Sequence, residues 1–318
     1  MRWLLIICSM FVIFSVSAQP ATPTLEMTFV GHEGAVNDVT FSPDGNTLAS
    51  AGSDITARLW NVADGGLIRT LDGQLIEVRA VAFTPNARDV ITVGFNMMAY
   101  VWDIRTGTPR PLIQVEAGIT DVSVAPDGES LVLAVGDGSV QAIDLANGSL
   151  LRTWRSPVET LTTLSVDYSP NGEWVAAGFG FPSDRVVMWR TDASAVLWAA
   201  DDHHQAVYDV AFAPDSASLV SVGGDGNARL WDAVTGELLT VYATDSQAPL
   251  YAVAYNGQQI AAVGFDGQVS LWEVADDNAV TVFAPEAMAA SLFAVAFSPD
   301  AQFLAVAGET GVIYLYRL

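Results

Sequence analysis

Residues 35–62 read AVNDVTFSPDGNTLASAGSDITARLWNV, and residues 206–233 read AVYDVAFAPDSASLVSVGGDGNARLWDA. Within each stretch Val39/Phe41 and Val210/Phe212 alternate with polar or small residues, the period-2 mark of a half-buried strand. In the first stretch Pro43-Asp44-Gly45 follows as a tight turn, Pro setting φ and Gly accepting a positive φ. A second turn, with Asp225-Gly226 as the clearer example, leads into a third strand that carries Trp60 or Trp231.

The pattern returns seven times. Copies begin at Ala35, Val78, Ile119, Thr162, Ala206, Tyr251 and Phe293. Their aromatic or apolar mark falls at Trp60, Trp102, Ile143, Trp189, Trp231, Trp272 and Tyr316, at steps of 42, 41, 46, 42, 41 and 44 residues. A period in this range marks stacked supersecondary units. In the sixth copy the turn proline is missing, and Asn256-Gly257 supplies a two-residue hairpin. A fourth strand is expected between copies, at Leu67–Leu71, Leu150–Trp154, Leu238–Tyr242 and Val280–Phe283.

Ahead of the repeats lies a different kind of segment. Met1-Arg2 is followed by an apolar run from Trp3 to Val16, and Val16-Ser17-Ala18 offers small residues to a signal peptidase. Residues 1–18 are therefore expected to be a cleaved secretion signal, residues 19–23 a short linker and residues 24–318 one domain. The run is shorter than the ~20 apolar residues of a spanning helix, so no membrane insertion is expected after cleavage. Cleavage takes away one Arg and no acid, moving the formal charge from −23 to −24, and removes Cys8, the only cysteine. The expected location is outside the cytoplasm, secreted or in the periplasm or cell-envelope exterior, with no disulfide to help stability.

The chain has 318 residues, of which 51% are apolar and 15% charged, enough to build a large core and too apolar for global disorder. All 13 basic residues are arginine, against 36 acids, and they form no run. Nucleic acid and anionic membranes are thereby poor partners, since both demand clustered positive charge. Acidity this strong keeps an apolar protein soluble and repels acidic partners.

The Gly31-His32 pair, the Ser-Pro-Asp-Gly turn and the endings Trp102-Asp103 and Trp231-Asp232 resemble the WD40 repeat family, over residues 24 to 318. The fold this implies is all-β, a seven-bladed β-propeller of four-stranded blades. The last copy ends at its third strand, so Thr24–Val30 is expected to close that blade as its outermost strand, with Leu25, Met27 and Phe29 facing one side. The family's buried hydrogen-bond chain can be complete in two blades, as His32, Ser50, Asp54 and Trp60 and as His203, Ser221, Asp225 and Trp231. Blade two offers Gln74, Thr92, Asn96 and Trp102, and blade three has lost both His and Trp.

Such a fold leaves two kinds of function open. The first is a non-enzymatic scaffold for a protein or peptide, monomeric, with no cofactor and no metal. Family relatives bind peptides on the face built from loops entering the first strand and loops joining the second and third. Carried over copy by copy, that face comprises Asn37, Arg79, Thr120, Leu164, Tyr208, Tyr251 and Phe293, with Ser53, Phe95, Phe265 and Glu309 from the second set of loops. Blade four adds three residues there, read as an insertion around Phe179-Gly180-Phe181-Pro182. Exposed aromatic rings with an arginine are what interfaces enrich. The second kind is an enzyme or small-ligand propeller, lactonase- or quinoprotein-like, whose Asp38, Asp121 and Asp209 converge at the central channel on a hard cation. A hydrolase triad of Ser221, His203 and Asp225 is disfavoured because the same set recurs in blade one.

Overall fold

A computed structural model describes residues 22–158, 162–285 and 290–318. The expected signal segment, residues 1–18, lies outside the described residues, as do residues 19–21 of the linker. Among the described residues there is no helix; the chain forms seven four-stranded antiparallel sheets. Six are consecutive meanders, the first being Val36–Phe41, Thr47–Gly52, Ala57–Asn61 and Leu67–Leu71. The seventh combines Leu292–Phe297, Phe303–Gly308 and Val312–Arg317 with the N-terminal strand Thr24–Val30. First strands of neighbouring sheets touch one another around the ring, so the first strand of each blade is innermost and the fourth outermost. The molecule is a seven-bladed β-propeller.

Apolar residues explain why the sheets stack. Seven buried clusters occur, and each joins two adjacent blades. The repeating aromatic mark supplies the reason: Trp60 packs with Ala305, Ile313 and Leu315 of blade seven, and Trp102 with Ala49, Ala51 and Leu59 of blade one. Each third strand thus presses its bulky residue onto the blade before it. Second strands are buried on both faces, whereas outer strands keep residues such as Leu67, Ile68, Leu150 and Leu151 exposed.

Turn chemistry follows the sequence closely. Gly45 has φ +72°, and its N–H donates to Ser42 O at 2.8 Å, while Asp44 Oδ1 accepts the Ser42 hydroxyl at 2.6 Å. Two expectations need correction. Phe179 is not part of an exposed insertion: it ends the second strand of blade four, is fully buried and meets Trp189 edge-on at 6.1 Å. Leu25 does not share a face with Met27 and Phe29, because a bulge between Leu25 and Met27 shifts the register and leaves Leu25 exposed. Phe29, by contrast, is fully buried against Trp60 at 5.9 Å.

Candidate functional site

Every innermost strand carries a β-bulge at the same place. The register slips between Val36 and Asp38, Val78 and Ala80, Ile119 and Asp121, and Thr163 and Ser165. It slips likewise between Val207 and Asp209, Leu250 and Ala252, and Leu292 and Ala294. A bulge leaves one residue unpaired and re-aims its side chain. The seven residues so released are Asn37, Arg79, Thr120, Leu164, Tyr208, Tyr251 and Phe293. All seven line one cavity of about 280 Å³ at one mouth of the central channel.

The mouth is polarised. Tyr208 and Tyr251 meet edge to face at 5.4 Å, and Tyr251 and Phe293 at 5.9 Å, making an aromatic arc across blades five to seven. Facing it, blades one to three contribute Asn37, Arg79 and Thr120. The Asn37 amide donates to Val78 O at 2.8 Å and accepts the Ser53 hydroxyl at 3.2 Å. Arg79 lies over the Phe95 ring, 5.6 Å from its centroid. Phe95, Phe181 and Phe265 stand on the second-to-third-strand loops, 45, 72 and 61% exposed, and are not among the residues lining the cavity. Glu309 is on the corresponding loop of blade seven, its N–H bonded to Ser291 O.

Beneath the mouth, the channel widens to a cavity of about 450 Å³ that holds Asp38, Asp121, Asp167 and Asp209. These acids clasp blades together. Asp38 Oδ2 accepts Val81 N–H, Asp121 accepts Val166 N–H, Asp167 accepts Phe212 N–H and Asp209 accepts Val253 N–H, at 2.8–2.9 Å. Burial raises all four carboxyls, Asp38 to about 8, Asp121 to about 7 and Asp167 to about 6, with Asp209 also well above its usual value. Among the described residues no group of three or more His, Cys, Asp or Glu is arranged to hold a metal ion. Asp167 escaped the sequence reading because it sits two residues further along its strand than its three counterparts; the period-2 rule puts residues 165 and 167 on one face and was the available signal.

The histidine networks lie within the blades, away from the mouth. Trp60 Nε1–H donates to Ser50 Oγ at 2.8 Å, Ser50 Oγ lies 2.7 Å from His32 Nε2, and His32 Nδ1 lies 2.9 Å from Asp54. Blade five repeats this with Trp231, Ser221, His203 and Asp225 at 2.8, 2.8 and 3.2 Å. Each carries an arginine that sequence reasoning passed over: Arg58 reaches Asp54 at 3.3 Å and Arg229 reaches Asp225 at 2.8 Å. Four residues separate each pair, and that spacing within a repeated motif was the missed sign. Ser50 and Ser221 are fully buried and already accept an indole N–H, so neither hydroxyl can reach a substrate. Burial pushes both histidines below their ordinary value and so favours the neutral ring.

Blade two keeps a shortened version, in which Gln74 and Trp102 both donate to the Thr92 hydroxyl at 2.7 Å. Comparison with known proteins singles out these same three blades. Residues 23–61, 65–103 and 196–232 match the family described as WD domain, G-beta repeat. Each match includes one hydroxyl–indole bond, at Trp60, Trp102 and Trp231. An uncharacterized WD repeat-containing protein of Synechocystis sp. is 34% identical over 138 residues, covering 43% of this chain and 38% of that protein. The periodic tryptophan protein 2 homolog of Dictyostelium discoideum is 25% identical over 205 residues, 64% of this chain and 18% of its own. Eukaryotic translation initiation factor 3 subunit I of Kluyveromyces lactis is 23% identical over 230 residues, 68% and 66%. The chain thus spans less than two thirds of each relative's length.

Proposed function

We propose that this WD-repeat propeller is a non-enzymatic interaction module that works outside the cytoplasm and holds a protein or peptide partner at the channel mouth. The observation that carries this reading is the set of seven bulges, which turn one side chain per blade, three of them adjacent aromatics, into a single open cavity. Aromatic anchors half-buried around a concavity are the usual hot-spot arrangement. Two further features support it. The channel acids are spent on joining blades, and the buried serines are closed to substrate. The K. lactis relative is, by name, a subunit of a translation initiation factor, which is in keeping with a partner-binding role. Export rests on the composition of residues 1–18.

The test is capture from the native medium or envelope, with wild type beside Tyr208→Ala/Tyr251→Ala. The double substitution should weaken the captured partner by about 2 kcal/mol or more and leave the melting temperature nearly unchanged. A lower melting temperature with undiminished capture would make the rings core and refute the reading. Stoichiometric metal in the purified protein would favour the channel-enzyme alternative. Mass analysis of the exported chain should find Gln19 as its first residue; a chain retained in the cytoplasm would refute the export proposal.

A further inference from the structure

We infer that the mouth receives the C-terminal residue of a partner chain, its terminal carboxylate on Arg79 and a bulky apolar side chain on the aromatic arc. This rests on the interaction-face reading above and gives it a chemistry. Arg79 is the one basic side chain lining the cavity. It is half-buried, its Nε is shielded from solvent with no hydrogen-bond partner, and among the described residues it has no ion pair. A guanidinium offers five donors in a planar fork that matches a carboxylate. The guanidinium lies over the Phe95 ring, 5.6 Å from its centroid, and none of its donors has a hydrogen-bond partner among the described residues.

Among the described residues no neighbour at the mouth is bonded to that fork; the nearby Glu77 carboxylate accepts the Ser53 hydroxyl at 3.4 Å. Asn37 is bonded to Val78 and Ser53, and the Thr120 hydroxyl is bonded to Ala134 O and Thr163 O. Below, Asp38 and Asp121 feel the charge of Arg79, which lowers both carboxyls against the larger effect of burial, but their oxygens are tied to backbone amides and neither forms an ion pair with the guanidinium. Blade two stands opposite blades five and six in a ring of seven, so Arg79 faces Tyr208 and Tyr251 across the opening. The occupant must therefore be anionic on one side and apolar on the other.

Size narrows the choice. A cavity of about 280 Å³ is smaller than the ~300–1,000 Å³ typical of small-molecule sites, and suits one inserted residue. Asp or Glu has the charge without the bulk; a C-terminal Phe, Leu or Trp has both on one Cα. The acidic surface sets the remaining condition. Within the ~8 Å over which charges act in physiological salt it repels further acids, so the carboxylate must be a single acid ending an otherwise neutral or basic segment.

Fluorescence anisotropy on the full chain, with labelled Gly-Gly-Ser-Gly-Phe as free acid and as C-terminal amide, tests this. The acid should bind about tenfold or more tightly than the amide, since the bond to the fork is charge-assisted. Arg79→Gln, at unchanged melting temperature, should bring the ratio to one, Arg79→Lys should leave an intermediate ratio, and Tyr208→Ala should weaken both peptides. Equal binding of acid and amide, a ratio that survives Arg79→Gln, or no binding of either peptide would overturn the proposal. N-acetyl-phenylalanine competing as tightly as the peptide would overturn it too, by making the occupant a small carboxylic acid. If partner capture depends on the tyrosines while the peptide ratio is one, the interaction face stands and this inference falls.

Discussion

Ser50 Oγ accepts the Trp60 indole N–H and lies within 2.7 Å of His32 Nε2, so one fully buried hydroxyl satisfies two buried rings. Gly52 belongs to the same arrangement: a Cβ there would stand 2.5 Å from His32 Nδ1. In blade four Phe179 stands at the strand position of Gly52 and meets Trp189 edge-on. Ser50→Ala should therefore cost ~1–3 kcal/mol, the penalty for stranding buried polar groups, as read by chemical denaturation. Titration adds a second expectation. The Asp38 carboxyl is raised from 3.8 to about 8 in the fold, so the native state holds a proton that the unfolded chain has released. Its contribution is present at low pH and is lost as pH rises from about 4 through 8. The buried histidines act oppositely, removing stability as pH falls below 6.5. Asp38→Asn should thus lose less melting temperature than wild type between pH 6.5 and 8.5; an unchanged slope would show that this carboxyl is ionised in the fold.

At the scale of the element, alternation in Val39/Phe41 and its counterparts located the innermost strands, whereas the bulge within each came only with the strand pairing. Val36 and Val39 are buried with two half-buried residues between them, a spacing of three that strict alternation forbids. Val207 and Val210 show the same. The resemblance placed the seven side chains on one face; what it did not supply was the bulge that turns each of them out of its strand and the single cavity they enclose. The N-terminal strand is the element with the most at stake. It covers the edge of Val312–Arg317, and its Phe29 sits in the cluster joining blades seven and one. Its exposed Glu26–Arg317 pair adds little. A chain beginning at Gly31 should melt lower and aggregate through the bared edge, while one beginning at Thr24 should match the full mature chain. Equal melting and solubility for both would reduce the strand to a linker.

Across the whole molecule, the seven junctions are alike in apolar packing and unlike in their channel-side bonds. Carboxylates clasp blades one to two, three to four, four to five and five to six. Ala80, Ala252 and Ala294 stand where Asp38 stands in blade one, so the junctions after blades two, six and seven lack that clasp. Hydrogen exchange should reveal this asymmetry: the Val81, Val166 and Val253 amides should exchange more slowly than that of Val295. Uniform protection around the ring would mean that packing alone sets local stability.

Periodicity determined the strands, the seven copies and the turn residues, because each is a local pattern repeated at a fixed interval, and the resemblance to the WD40 family carried the propeller fold and the two blades with a full histidine network. Tertiary structure decided the rest. The loss of Leu25 from the buried face depended on a bulge in its pairing with Val312–Arg317. The burial of Phe179 depended on its edge-on contact with Trp189 inside the blade. The channel aspartates became clasps because each one's neighbour, 43 to 45 residues further along the chain, presents an unpaired amide at the right distance. The mouth, with Arg79 facing an aromatic arc, exists only when the ring closes: the repeat register gives its seven side chains one position per blade, but only closure brings blade two opposite blades five and six.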